Sequence, residues 1–190
     1  AHRVAHLLLN GVPPERMLLL TFTRRAALEM SRRAQRVMAE ALAGRHEAAR
    51  VPETLRLPWS GTFHAIGNRL VRAYAQRLGI DPAFSVLDRG DAADLMDVVR
   101  HRLGLSKTEK RFPRKDTCLG IYSHRVNTQQ PLRHTLETVY PWCLDWEDEL
   151  TALCRAYVEA KQAQQVLDYD DLLLYWQVMM QDDAVAAEIG

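Results

Sequence analysis

Val4, Leu7 and Leu8 recur at helical spacing between His2 and Asn10, so the chain opens on an amphipathic helix. Gly11 ends it, and Pro13-Pro14 forbids its continuation. Met17-Leu18-Leu19-Leu20-Thr21-Phe22 is a short, unbroken apolar run bounded by turn residues, the pattern of a strand buried on both faces of a parallel sheet. Thr23 is placed to cap a long helix through about Ala43, rich in Ala, Leu, Met, Glu and Arg, and Gly44 stops it. A loop-like stretch with Pro52 and Pro58 follows. Trp59-Ser60-Gly61-Thr62-Phe63 reads as a strand ending at a glycine turn. His64 to Leu78 is then helical, with Ile66, Leu70, Val71 and Tyr74 on one face, and Gly79 closes it. Phe84 to Leu87 is another short strand. Helix and strand alternate through the first 87 residues, which predicts an α/β layer.

The pattern changes after Asp88. Asp91 to Leu103, Asp116 to Val126 and Trp146 to Gln165 all read as helices, punctuated by Gly104, Pro113 and Pro131, with no convincing strand. Asp168-Tyr169-Asp170-Asp171 then opens a final helix, Leu172 to Met180. The expected organisation is an α/β part over residues 1–88, a helical insertion over 89–166 and a return to the α/β part over 167–190.

Composition narrows the classes. With 190 residues, 47% hydrophobic and 26% charged, the chain can bury a core, and disorder, collagen-like repeats and disulfide scaffolds are excluded. Its longest apolar runs, Met17–Leu20 and Leu172–Trp176, are too short to cross a bilayer. Ala1-His2-Arg3-Val4 leads straight into a helix, with no secretion signal. Cys118, Cys143 and Cys154 stand at no metal-ligand spacing and read as reduced thiols of a cytoplasmic protein. The net charge of +1 hides an asymmetry. Residues 1–36 carry seven Arg against Glu15 and Glu29; residues 100–133 carry nine Lys or Arg against Glu109 and Asp116; residues 145–190 carry eleven acids against Arg155 and Lys161. Two basic blocks suit a polyanion, although solvated helix faces give the same count.

Three strings hold candidate chemistry. At Leu20-Thr21-Phe22-Thr23-Arg24-Arg25 a strand runs into a helix whose free N–H groups can receive phosphate. Thr21 and Thr23 are donors, Phe22 a stacking face, and Arg24 and Arg25 counter-charges. The alternative is a core Phe22 beside a solvated arginine pair. Gly61-Thr62-Phe63-His64 repeats the design, with Gly61 allowing close backbone approach and Thr62 and His64 as donors; a lone His is also an ordinary structural residue. Asp168 and Asp171 read as a variant capping box in preference to a metal or acid–base pair. No P-loop, dinucleotide fingerprint, nucleophile elbow, zinc signature or EF-hand is present, so no catalytic residue and no metal ligand is assigned.

Taken together, these strings resemble the UvrD/Rep-like superfamily 1 DNA helicases. Thr21-Phe22-Thr23-Arg24-Arg25-Ala26-Ala27-Leu28-Glu29-Met30 is similar to their motif Ia, usually TFTNKAA followed by Met, and Gly61-Thr62-Phe63-His64 to motif Ib, GTFHS. Gly11-Val12-Pro13-Pro14-Glu15-Arg16-Met17 fits the linker before motif Ia, Phe84-Ser85-Val86-Leu87-Asp88 the strand before the helical insertion, and Asp168-Tyr169-Asp170-Asp171-Leu172-Leu173 the DFDDLL element where the chain returns. Arg24-Arg25 replaces Asn-Lys, and Ala65 replaces Ser. The Walker A and Walker B motifs of the family are missing. The resemblance implies a fragment of a RecA-like P-loop NTPase domain with its insertion, taken from an ATP-dependent DNA helicase of repair or replication.

By that resemblance Phe22 stacks on bases, while Thr62 and His64 touch the sugar-phosphate backbone; Thr21, Thr23, Arg24, Arg25 and Phe63 complete the nucleic-acid-binding set. The implied partners are single-stranded DNA, a duplex junction near the basic block 100–133, and a second motor domain of the same parent chain, with no membrane. ATP and Mg²⁺ belong to the parent, and none is expected on this fragment. Two alternatives stand: a non-catalytic helicase-like scaffold, and part of a helicase–nuclease.

Overall fold

The computed structural model describes residues 1–43, 57–108 and 110–189. The helix stop at Gly44 and the Pro52 loop lie outside the described residues. The chain is mixed α/β, mostly helical, with two small parallel sheets, and it divides into two compact units: residues 1–70 with 182–190, and Val71–Gln181.

In the first unit, helix α1 (His2–Leu9) is followed by a 3₁₀ turn at Pro14–Arg16 and strand β1 (Leu18–Thr21). Helix α2 (Arg24–Ala43) carries the chain to strand β2 (Trp59–Thr62), and α3 (Phe63–Ala73) starts directly from it. Helix α10 (Asp183–Ile189) joins this unit from the far end of the chain. Strands β1 and β2 pair in parallel, Leu18 opposite Trp59 and Thr21 opposite Thr62, so the α2 crossover makes a β-α-β arrangement. Met17, Leu19 and Leu57 form the core of the layer, with Val4, Leu7 and Leu8 of α1 and Met30 of α2 packed on it. The apolar spacing of the first ten residues is thus the face that covers β1.

The strand itself departs from expectation. It ends at Thr21, and only Leu19 is fully buried; Leu18 is 49% exposed. Side chains alternate across a strand, and the α1 and α2 residues that pack on this layer meet it on the Leu19 side, so a continuous apolar run does not mean burial on both faces here.

The second unit holds α4 (Ala75–Leu78), β3 (Ser85–Val86), α5 (Arg89–Arg102), α6 (Lys115–Thr128), α7 (Leu132–Val139), a 3₁₀ turn (Pro141–Trp146), α8 (Glu147–Ala163), β4 (Val166–Leu167) and α9 (Tyr169–Gln181). The span expected as one helix from His64 is broken near Tyr74, and Gly79 (φ 68°) closes α4 in the left-handed conformation. Helix α5 begins two residues earlier than its apolar pattern, because Asp88 accepts from the N–H groups of Gly90 and Asp91. Met96, Val99, Ile121, Leu136, Leu150, Leu153 and Tyr157 are wholly inaccessible and make one helical core. Besides α10 in the first unit, two elements here escaped the sequence reading. Helix α7 has Leu132, Leu136 and Val139 at helical spacing, but only eight residues after Pro131. Strand β4 pairs in parallel with β3 over two residues, too few for any periodicity.

Cys118, Cys143 and Cys154 are buried free thiols. Burial pushes Cys118 up to about 12 and Cys154 up to about 11, so both stay protonated and inert.

The junction from α8 through β4 to α9 buries three charges. Lys161 Nζ donates to Asp168 Oδ2 (2.7 Å) and Asp171 Oδ2 (2.6 Å) and lies 3.1 Å from the Tyr122 hydroxyl. Tyr157 donates to Asp168 Oδ2 at 2.9 Å. Asp168 Oδ1 receives the Asp171 N–H, and Asp171 Oδ2 receives the Asp168 N–H, each at 2.9 Å, a reciprocal cap on α9. Burial works against the Lys161 charge, but the two carboxylates outweigh it and hold the ammonium above its ordinary range. Burial pushes Asp171 up to about 6 against the pull of Lys161, whereas in Asp168 the Lys161 charge and hydrogen bond overcome burial and hold it low.

Lys161→Met should therefore strand two buried carboxylates and destabilise the fold by about 3–5 kcal/mol. Without the ammonium Asp171 is pushed up further, and Asp168 loses what holds it low, so burial lifts both carboxyls above their unfolded values. The folded variant then binds the extra proton, and its stability falls as pH rises. Urea titrations at several pH values should show a larger loss near pH 8 than near pH 5; a pH-independent loss would contradict the electrostatic account.

Candidate nucleic-acid interface

Parallel pairing puts the C-terminal ends of β1 and β2 side by side, with Thr21 opposite Thr62. Each strand runs almost directly into a helix, so two helix N-termini open at the same edge of the layer. Both are capped by threonine. Thr23 Oγ1 accepts the Ala26 N–H at 3.1 Å and Thr62 Oγ1 accepts the Ala65 N–H at 3.3 Å. A capping hydroxyl uses its lone pair and keeps its proton, so Thr23 and Thr62 retain a donor.

Thr21 is used differently. Its hydroxyl lies within donating distance of the Thr23 carbonyl (3.0 Å) and the Gly61 carbonyl (3.3 Å). One proton is shared between the two turns, and it links the β1–α2 corner to β2. Gly61 has an ordinary backbone, and a Cβ there would meet Ala65 and Ile66 only at 3.6 Å. Nothing in the chain's own packing demands glycine at that position.

The aromatic pair stands outside the core. Phe22 is 90% exposed, and its ring centroid lies 5.5 Å from that of half-buried Phe63 at an interplanar angle of 40°. The choice between a core and a surface Phe22 falls to the surface. Arg24 and Arg25, in the first turn of α2, are exposed, and neither has a carboxylate partner among the described residues. His64, in the first turn of α3, is exposed as well. The edge therefore collects two helix N-termini, two hydroxyl donors, two guanidiniums, an imidazole and an exposed aromatic face. Such a set can receive phosphate oxygens and a stacked base.

Sequence reasoning missed Arg69. Its guanidinium lies 4.5 Å from the centroid of the Trp59 ring and donates to the Pro58 carbonyl, bracing the start of β2 from α3. Only the ten-residue offset between a strand and the helix after it could have signalled this.

Asp168 and Asp171 belong to the buried junction with Lys161, in the second unit. Four of the nine cations in the basic block 100–133 are paired with carboxylates inside the chain. Arg100 pairs with Asp97, Lys110 with Asp145, Lys115 with Asp94, and Arg133 with Glu137 and Glu147. The Arg125 charge acts on the Cys154 thiol, against the effect of burial.

Among the described residues no group of three His, Cys, Asp or Glu could hold a metal ion, and no helix is long and apolar enough to cross a membrane.

The family model described as UvrD/REP helicase N-terminal domain matches residues 1–189. The chain is similar to the ATP-dependent DNA helicase PcrA of Leuconostoc citreum, 30% identical over 176 residues, which are 91% of this chain and 21% of that protein. It is 29% identical over 177 residues to PcrA of Staphylococcus epidermidis, covering 91% of this chain and 21% of the relative. It is also 32% identical over 132 residues to DNA helicase II of Haemophilus influenzae, covering 68% of this chain and 16% of that protein. The chain thus spans about a fifth of the length of the curated relatives it matches. With two strand-to-helix corners in the expected order and a match along nearly its whole length, the chain belongs to the UvrD/REP helicase N-terminal domain family.

Proposed function

We propose that this chain is part of the first, RecA-like motor domain of an ATP-dependent DNA helicase acting in repair or replication, and that its β1–β2 edge grips single-stranded DNA. The observation that carries the reading is Phe22: a large aromatic 90% exposed at a strand end, beside Phe63 and next to two arginines with no carboxylate partner among the described residues. Burying Phe22 would have been worth roughly 1.5–3 kcal/mol to the fold, so its exposure among the described residues supports a partner that covers it. Phe22 offers its face to a base. Thr23, Thr62 and His64 donate to the backbone, Arg24 and Arg25 neutralise phosphates, and Thr21 and Phe63 hold the corners in place. Stacking and phosphate contacts ignore base identity, which suits a motor that must pass any sequence.

Residues 89–166 are proposed as a helical insertion, with 167–190 returning to the motor domain. In support, β3 and β4 lie side by side, Ser85 opposite Val166, so the chain leaves and re-enters at one place. The second motor domain of the parent, ATP and Mg²⁺ complete this reading.

Phe22→Ala should weaken binding of oligothymidylate and mixed-sequence single strands alike by about 1–3 kcal/mol. Its melting temperature should barely move, since exposed substitutions change stability by only about 0.5 kcal/mol. Arg25→Ala should lower the slope of log affinity against log salt by about 0.7, a slope that Phe22→Ala leaves alone. Anisotropy titrations at several salt concentrations, with melting curves beside them, separate these effects. A destabilised Phe22→Ala with unchanged affinity would refute the stacking role.

This chain alone should show no DNA-stimulated ATPase activity, because its sequence holds no phosphate loop. Phosphate release above background that co-purifies with the chain would sink the reading of a partial motor.

A further inference from the structure

A cleft of about 200 Å³ in the second unit lies between the segment Arg111–Thr117 and the 3₁₀ turn Pro141–Trp146. Its inner wall is aromatic. Phe112 is buried and meets Trp146 edge to face, with centroids 5.2 Å apart. Its outer wall is Trp142, 70% exposed and held at its other side by the Tyr140 ring, centroids 5.7 Å apart. Arg111 and Arg114 line the same cleft and are exposed.

The charges around it are unevenly matched. The chain gives Lys110 the carboxylate of Asp145 and Lys115 that of Asp94. Arg111 and Arg114, interleaved with those lysines, have no carboxylate partner among the described residues. A guanidinium's planar fork is the group best shaped to receive a carboxylate in two parallel hydrogen bonds. Trp and Arg are also the residue types that dominate binding energy at protein interfaces. The cleft is smaller than the several hundred Å³ of a drug-sized ligand site, and it suits a single apolar side chain.

A nucleic acid is the poorer occupant. A strand needs a track of cations, one for each phosphate neutralised. Here the flanking lysines are already neutralised, and Asp116 sets a carboxylate close to Arg114 in sequence. Two positive charges about one apolar slot match a short acidic segment with one large anchor.

We propose that this cleft is a docking site for an acidic peptide segment of another protein, with an aromatic or leucine anchor against Trp142 and flanking carboxylates on Arg111 and Arg114. The site is independent of the strand-edge reading, because none of its residues lies on β1, β2 or the helices they open.

The test uses short fluorescein-labelled peptides, rich in Asp and Glu with one central Trp or Leu, titrated into the chain by anisotropy and repeated with the full-length parent. Saturable binding is expected. Trp142→Ala and Arg114→Glu should each weaken it about tenfold or more, and the same peptides with Lys in place of the acids should bind far less. Both substitutions are at exposed positions, and circular dichroism checks that each variant folds; the charge-swapped peptides give an answer even if one does not. Absence of saturation by about 1 mM overturns the proposal, as does acidic-peptide affinity indifferent to both substitutions. Oligothymidylate binding that depends on Trp142 overturns it in favour of a nucleic-acid site. Peptide binding present in the chain but lost in the full-length parent also overturns it, because the parent's own domains then fill the cleft.

Discussion

A buried ammonium can persist only if carboxylates meet it at hydrogen-bond distance, and Lys161 is the point on which the second unit turns. Its Nζ lies on α8, and its two acceptors lie at the start of α9. Only the two residues of β4 and a short turn connect them, so the ion cluster fixes the angle at which the chain leaves α8 and enters α9. The reciprocal cap between Asp168 and Asp171 then satisfies the backbone donors that a helix start leaves open. Tyr157 and Tyr122, packed edge to face at 5.0 Å, close the cluster from the core side. Each carboxylate thus serves two masters, a helix N-terminus and a lysine. That is why the same two residues read as a simple cap when only their spacing is known.

The strand edge in the first unit works by a related economy. Thr23 and Thr62 are needed by α2 and α3 whether or not anything binds. Yet a cap consumes an acceptor site and leaves the hydroxyl proton available. Thr21 spends its proton inside the protein and binds the two corners together. Three threonines of one chemistry therefore divide into two whose hydroxyl protons the caps leave over and one whose proton is used inside the fold. Only the hydrogen-bond directions separate them, and the sequence holds no trace of those.

Much of the edge was legible beforehand. The β-α-β order, the Thr23 cap and the two strand-to-helix corners all followed from apolar runs, glycines and hydroxyls at fixed offsets. The depth of the strand did not. Met17 to Phe22 looked like an interior strand because hydropathy reports what a residue tolerates, while the helices around it decide which side they cover. Helix α7 carries a readable Leu132–Leu136–Val139 spacing, but it is too short, and too close behind a proline, for that spacing to stand out. Strand β4 and the Lys161 cluster depend on pairings that no local pattern encodes: Val166 meets Ser85, and Lys161 reaches the far side of a turn. Long-range partners, more than element types, are where reading the chain stops.

The same limit explains why the basic blocks had to be seen in three dimensions. Arginines and aromatics occur together throughout the chain, but the fold consumes many of these pairs. Arg69 sits 4.5 Å from the centre of the Trp59 ring, and Arg72 sits 4.2 Å from that of Phe84 while donating to the Phe84 carbonyl at 2.9 Å. Those guanidiniums are structural, and their charge is not a sign of a ligand. Around Phe22 and around Trp142 the accounting differs: the ring is exposed, and the neighbouring arginines have no carboxylate among the described residues. A cation or an aromatic face without an internal use contributes nothing to folding that a smaller polar residue would not supply. The distinction between used and unused pairs, rather than the density of positive charge, separates a binding surface from a solvated helix face.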